Sequence, residues 1–90
     1  MKKLLMLNAS RHEIPFILAA RKLGFYVITT STKTSYEGHK YADEYIYGDY
    51  NDYDEMIHLM KKNNIDAISQ GTTDDCALSA AFVGENLGLK

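Results

Sequence analysis

The sequence predicts a three-layer α/β/α domain with a mainly parallel four-stranded sheet and three helices. Short apolar runs bounded by turn residues alternate with longer stretches of helical period. Strands that alternate with helices imply parallel pairing, right-handed crossovers and helices on the faces of the sheet. The chain has 90 residues, 46% of them hydrophobic, which is enough for one small core and reads as a single domain over 1–90.

The first strand is the run Leu4–Leu7. The loop Asn8–Arg11 follows, then a helix from about Glu13 to Leu23 with Ile14, Ile17 and Leu18 on one face and Gly24 as its stop. Pro15 fixes the start, because proline is harmless only in a first turn, where its missing N–H has no partner to lose. A cap at Ser10 would bury Pro15 a full turn deep. The S-x-x-E spacing of Ser10 and Glu13 is therefore not read as a capping box. Phe25–Ile28 is the second strand. Glu44–Tyr47, aromatic and β-branched with charged neighbours, suits an edge strand.

The next helix carries the stripe Tyr53, Met56, Ile57 and Met60. Asn51 or Asp52 can cap it, acids lie in its first turn and Lys61 and Lys62 in its last, as the macrodipole favours. Ile65 leads into a last strand at Ala67–Ile68. A third helix runs from about Asp74 to Leu87, with Leu78, Ala81 and Phe82 inward and Gly88 as its stop. Gly84 inside it costs roughly 1 kcal/mol against alanine, which suits close packing.

Composition excludes several functions. A net charge of −2 gives no basic face for nucleic acid. No apolar run is long enough to span a membrane, and Leu4–Leu7 is too short for a signal peptide. The one cysteine, Cys76, forms no internal disulfide and fits a reducing, cytoplasmic setting. His12, His39 and His58 have no metal-ligand spacing with one another or with Cys76, and none pairs with a serine or cysteine in a nucleophile motif. Asp74 and Asp75 offset the helix N-terminus beside Cys76, so that thiol reads as structural.

In a parallel sheet ligands bind beyond the carboxyl ends of the strands. Here that edge collects Asn8–His12, Thr29–Lys40 and Gln70–Asp75. The loop NASRHEIP stands where a Rossmann-like fold carries its glycine loop. It has no glycine, so the backbone cannot approach a pyrophosphate closely. Arg11 can clamp an anion or remain a solvated loop residue. Thr30 and Ser31 stand where a ribose is read, or belong to a mobile hydroxyl-rich loop. Six of the seven tyrosines lie between Tyr36 and Tyr53, among acids that would repel nucleic acid, and read as an aromatic edge that covers the sheet or meets a partner. In SQGTTDD, Gly71 permits a tight turn and Thr72 or Thr73 can cap the helix. Asp74 and Asp75 already complement the dipole and oppose a second anion. A hydroxyl, amide, amine or cationic partner suits this loop better than a phosphate.

These segments resemble the N-terminal, pre-ATP-grasp domain of ATP-grasp enzymes such as biotin carboxylase, the carbamoyl phosphate synthetase large chain and related carboxylate–amine ligases. The resembling stretches are KKLLMLNAS, AARKLGFYVITT and YADEYIYGDYNDYDEMIHLMKKNNIDAISQGTTDDCALSAAFVGENLGL. They cover essentially the whole chain, through many weakly specific positions. The resemblance implies that ATP-grasp domains of the same polypeptide are partners. Those lobes hold ATP and magnesium and activate a carboxylate as an acyl phosphate, which an amine or similar nucleophile attacks to form a C–N bond. It further implies that this domain closes one side of the cleft and holds a small carboxylate or amine through Asn8, Ser10, Arg11, Gly71, Thr72, Asp74 and Asp75.

The first loop lacks the glycines that several nucleotide-substrate members use, which speaks against a phosphoribosyl substrate. No ATP-binding lysine pair or metal-binding carboxylates can be assigned, so the chain is expected to be a domain fragment that neither holds a cofactor nor catalyses alone. A homodimer through Tyr45 and Tyr47 is a further expectation. The alternative is a free-standing small-molecule-binding or regulatory module. A receiver domain, one such module, would need acids at the end of the first strand, where LMLNAS has none.

Overall fold

Each apolar run forms a strand: β1 Lys3–Leu7, β2 Tyr26–Ser31, β3 Glu44–Tyr47 and β4 Ala67–Ser69. In the computed structural model, which describes residues 2–69, they make one sheet in the order β3-β2-β1-β4. Every pairing is parallel: Leu5 lies opposite Ile28, Tyr45 opposite Thr29 and Met6 opposite Ser69. The edge position read for Glu44–Tyr47 is the one it occupies. The third helix expected over 74–87 lies outside the described residues.

Side chains of period 2 divide the core between the two faces. Leu5, Leu7 and Ile28 pack with Met56, Leu59, Met60 and Ile65 on one side. Leu4, Met6 and Val27 pack with Ile17, Ala20 and Ala9 on the other. The helices that supply these residues, α1 (Ile14–Lys22) and α2 (Tyr53–Lys62), therefore cover opposite faces. Each large aliphatic side chain so buried contributes about 1.5–3 kcal/mol.

Both helices end in the same way. Gly24, at φ +95°, and Asn64, at φ +55°, follow the last turns in the left-handed region. The Phe25 N–H donates to the Ala20 carbonyl and the Ile65 N–H to the Met60 carbonyl, the long bonds of Schellman caps. Asp52 caps α2 by accepting from the Glu55 N–H at 3.2 Å.

Four expectations change. The Ser10–Glu13 pair is formed: Glu13 Oε1 accepts from the Ser10 N–H at 3.2 Å and from the Ser10 hydroxyl at 2.8 Å. It closes a separate 3-10 turn, Arg11–Glu13, and α1 starts only at Ile14, so Pro15 still lies in the first helical turn. Leu18 is 46% exposed, and the inward stripe is Ile17 and Ala20. On α2 the buried set is Met56, Leu59 and Met60, with Tyr53 and Ile57 at its margin. Finally, β2 continues through Thr29, Thr30 and Ser31, all fully buried, so these hydroxyls belong to a strand and not to a mobile loop.

Candidate functional site

Parallel pairing brings all four carboxyl ends to one edge. The chain leaves β1 toward β2 on one side, while β4 lies on the other side of β1. Strand order thus reverses between β1 and β4, which is where such sheets open a crevice. Asn8 is the first residue beyond β1 there. Its φ of +79° lies in the left-handed region, which asparagine tolerates better than most residues. Its N–H donates to the Thr30 carbonyl at 2.8 Å. The residue is buried, 6% exposed, and Oδ1 has no hydrogen-bond partner among the described residues. A buried acceptor left unpaired costs about 1–3 kcal/mol, so a donor from outside would be bound favourably.

Next to Asn8 the chain turns through Ala9 and Ser10 into the Arg11–Glu13 turn. The Ser10 hydroxyl proton is engaged by Glu13, whereas Arg11 is exposed to solvent. Glu13 is wholly buried at the N-cap of α1. A helix start attracts anions through free N–H groups and its positive dipole end. Here the Glu13 carboxyl group turns back to Ser10 and does not cap α1, Pro15 removes one N–H of the helix start, and the Asn8 amide is already bonded to Thr30. The loop after β1 thus has its Asn8 and Ser10 N–H groups engaged within the protein.

The end of β2 is braced from the segment Glu37–Tyr41, a second 3-10 stretch. His39 Nδ1 lies 2.7 Å from Thr29 Oγ1, and Nε2 lies 3.0 Å from Ser31 Oγ and 3.1 Å from the Lys33 carbonyl. Its ring stacks on Tyr45 at a centroid distance of 3.8 Å, and the Tyr45 hydroxyl donates to the Ser31 carbonyl at 2.9 Å. Burial holds the His39 imidazole below its ordinary pKa, and the Lys33 carbonyl partly opposes this. Beside it, the Gly38 N–H donates to the Ala9 carbonyl at 2.8 Å. Thr30, read as a ribose contact, is buried beside Gly48, and its Oγ1 has no hydrogen-bond partner among the described residues. Tyr45, read as facing a partner, is occupied by His39, and Tyr47 is 64% exposed.

Of the expected site residues, one short loop brings Asn8, Ser10 and Arg11 together at the carboxyl end of β1. Gly71, Thr72, Asp74 and Asp75 lie outside the described residues. Sequence reasoning missed Glu13, His39 and Gly38. The S-x-x-E spacing pointed to Glu13. No pattern paired His39 with hydroxyls eight and ten residues earlier. Among the described residues no group of three His, Cys, Asp or Glu could hold a metal ion, and no helix is long and apolar enough to cross a membrane.

No protein-family model matches the chain, and no curated protein matches it. Solved structures do. Phosphoribosylglycinamide synthetase from Anaerococcus prevotii is 28% identical with a TM-score of 0.84, over 99% of this chain and 23% of that one. N5-carboxyaminoimidazole ribonucleotide synthetase from Thermotoga maritima shares the fold at 24% identity and a TM-score of 0.78, over 100% of this chain and 24% of that one. The biotin carboxylase domain of a thermophilic 2-oxoglutarate carboxylase shares it at 20% identity and a TM-score of 0.80, over 98% of this chain and 22% of that one. The chain thus spans less than a quarter of the length of each of these three proteins. By its strand order and these similarities, the chain resembles the N-terminal region of ATP-grasp carboxylate–amine ligases.

Proposed function

We propose that the chain is the substrate-side domain of an ATP-dependent ligase, in which the loops after β1 and β4 hold a small carboxylate or amine. The similarity to phosphoribosylglycinamide synthetase, which extends over 99% of the chain, carries this reading. ATP and magnesium would be held by further domains of the same polypeptide and would supply the activation of the carboxylate. The domain's own part is to bind and orient. Asn8 Oδ1, buried and unpaired, accepts from an N–H or O–H of the substrate. Arg11, exposed and cationic, attracts a carboxylate. Gly71, Thr72, Asp74 and Asp75, which follow β4 in the sequence, are assigned to the same substrate, where two carboxylates favour an amine.

A phosphorylated substrate suits neither loop. Glu13 adds a buried carboxyl group beside the loop after β1, bonded to Ser10, and Asp74 and Asp75 add two acids after β4 in the sequence. The substrate read here is accordingly smaller and less anionic than a phosphoribosyl compound.

The test uses the complete ligase. Asp75→Ala raises the KM for the carboxylate or amine and leaves the affinity for ATP unchanged. An unchanged substrate KM and kcat would remove the loop from the site. The domain alone shows no ATP binding in calorimetry, and micromolar affinity would instead favour a free-standing nucleotide-sensing module.

A further inference from the structure

We infer that His39 is a positioning residue for the Asn8–Arg11 loop: bonded at both ring nitrogens, it seats the segment that carries Gly38, and Gly38 fixes Ala9. The hydrogen-bond partners decide which nitrogen carries the proton. The Lys33 carbonyl can only accept, so Nε2 is the donor. Nδ1 is then the acceptor, and it takes the proton of the Thr29 hydroxyl at 2.7 Å. Ser31 Oγ, within reach of Nε2, also accepts from the Lys33 N–H at 3.1 Å. The neutral ring thereby ties two buried hydroxyls of β2 to the turn at Lys33, with Tyr45 flat against it.

The next link has no slack. A Cβ on Gly38 would lie 2.2 Å from the Ala9 carbonyl oxygen and 2.7 Å from its carbon, so the two backbones are in direct contact. Ala9 is fully buried between Asn8 and Ser10. A displacement of residue 39 is passed through one peptide unit to Gly38 and through one hydrogen bond to Ala9. Protonation is such a displacement. It turns Nδ1 into a donor, so the Thr29 hydroxyl must rotate and lose its acceptor inside a fully buried strand. Of titratable side chains, Tyr45 from β3 and Tyr36 from the preceding loop face the ring, and no charged side chain contributes to its lowered pKa. That the positioned loop holds a substrate rests on the function proposed above, whereas the mechanical link does not.

The experiment therefore adds no ligand. His12→Gln first removes the exposed imidazole of the loop itself. Amide shifts of Ala9 and Ser10 are then followed by NMR from about pH 8 to about pH 5, together with the His39 ring. The two amides are expected to titrate with the His39 midpoint, below about 6.5. Hydrogen exchange supplies a second readout. His39→Phe keeps a flat ring against Tyr45 without ring nitrogens and speeds exchange of the Gly38 amide about tenfold, with the Leu5 and Ile28 amides unchanged. His39→Gln, which restores hydrogen bonding, recovers part of the protection. Ala9 and Ser10 amides that ignore the His39 titration, or Gly38 exchange unaltered in His39→Phe, would overturn the inference. If His39→Phe does not fold, the titration decides alone.

Discussion

Asn8 carries two separable properties, a left-handed backbone and an unpaired acceptor. Asn8→Gly keeps the first and deletes the second, so its urea midpoint should stay near that of the parent. Asn8→Ala deletes both and should lose about 1 kcal/mol from backbone strain. If the acceptor serves a substrate, the two variants raise its KM equally in the complete ligase despite their different stabilities. A larger KM effect for the alanine variant alone would trace the loss to strain. Gly38→Ala drives a methyl into the Ala9 carbonyl and should cost about 1–3 kcal/mol by denaturant unfolding. An unchanged midpoint would mean that the contact yields. At this scale the sequence was least legible. Nothing in NASR distinguishes a left-handed asparagine from an extended one, and the tight approach of Gly38 depends on a loop 29 residues away in the chain.

The elements were better marked, because their signals are local. Pro15 and Gly24 bracket α1, and Asp52 with its acidic and basic ends brackets α2. Asp52→Ala should cost α2 about 1 kcal/mol, read from a urea midpoint, and Asp52→Ser should recover most of it. Two of the four misreadings have a direct physical cause. Pro15 and the Ser10–Glu13 spacing seemed incompatible because one continuous helix was assumed, and an intervening 3-10 turn accommodates both. The end of β2 was drawn at Ile28 because three hydroxylated residues looked solvated. His39 and Lys33, together with Tyr45, supply the partners that let Ser31 be buried. Such partners come from 2 to 14 residues further along the chain, beyond the reach of a periodicity.

For the molecule as a whole, the alternation of strands and helices was enough to foretell a parallel sheet with helices on both faces, and β3 was placed correctly at the edge. The crevice was legible as a position, but not which polar atoms within it are spoken for. Global stability should depend on His39 with a definite sign. Its folded pKa is lowered, so below about 6.5 the unfolded chain takes up the proton first. Stability should therefore fall as pH drops through that value and level off below the folded pKa. Urea midpoints compared with those of His39→Gln check this, since the difference between the two proteins should follow that pH course. A difference independent of pH would assign the effect to packing.

Glu13 has a bearing on redesign. Restoring glycines to the loop after β1 would be the obvious route to a nucleotide-binding variant of this domain. Glycines alone would leave the buried Glu13 carboxyl group on the Ser10 N–H, a donor that an incoming anion would need. Glu13 and Ser10 would have to be exchanged together, since each satisfies the other.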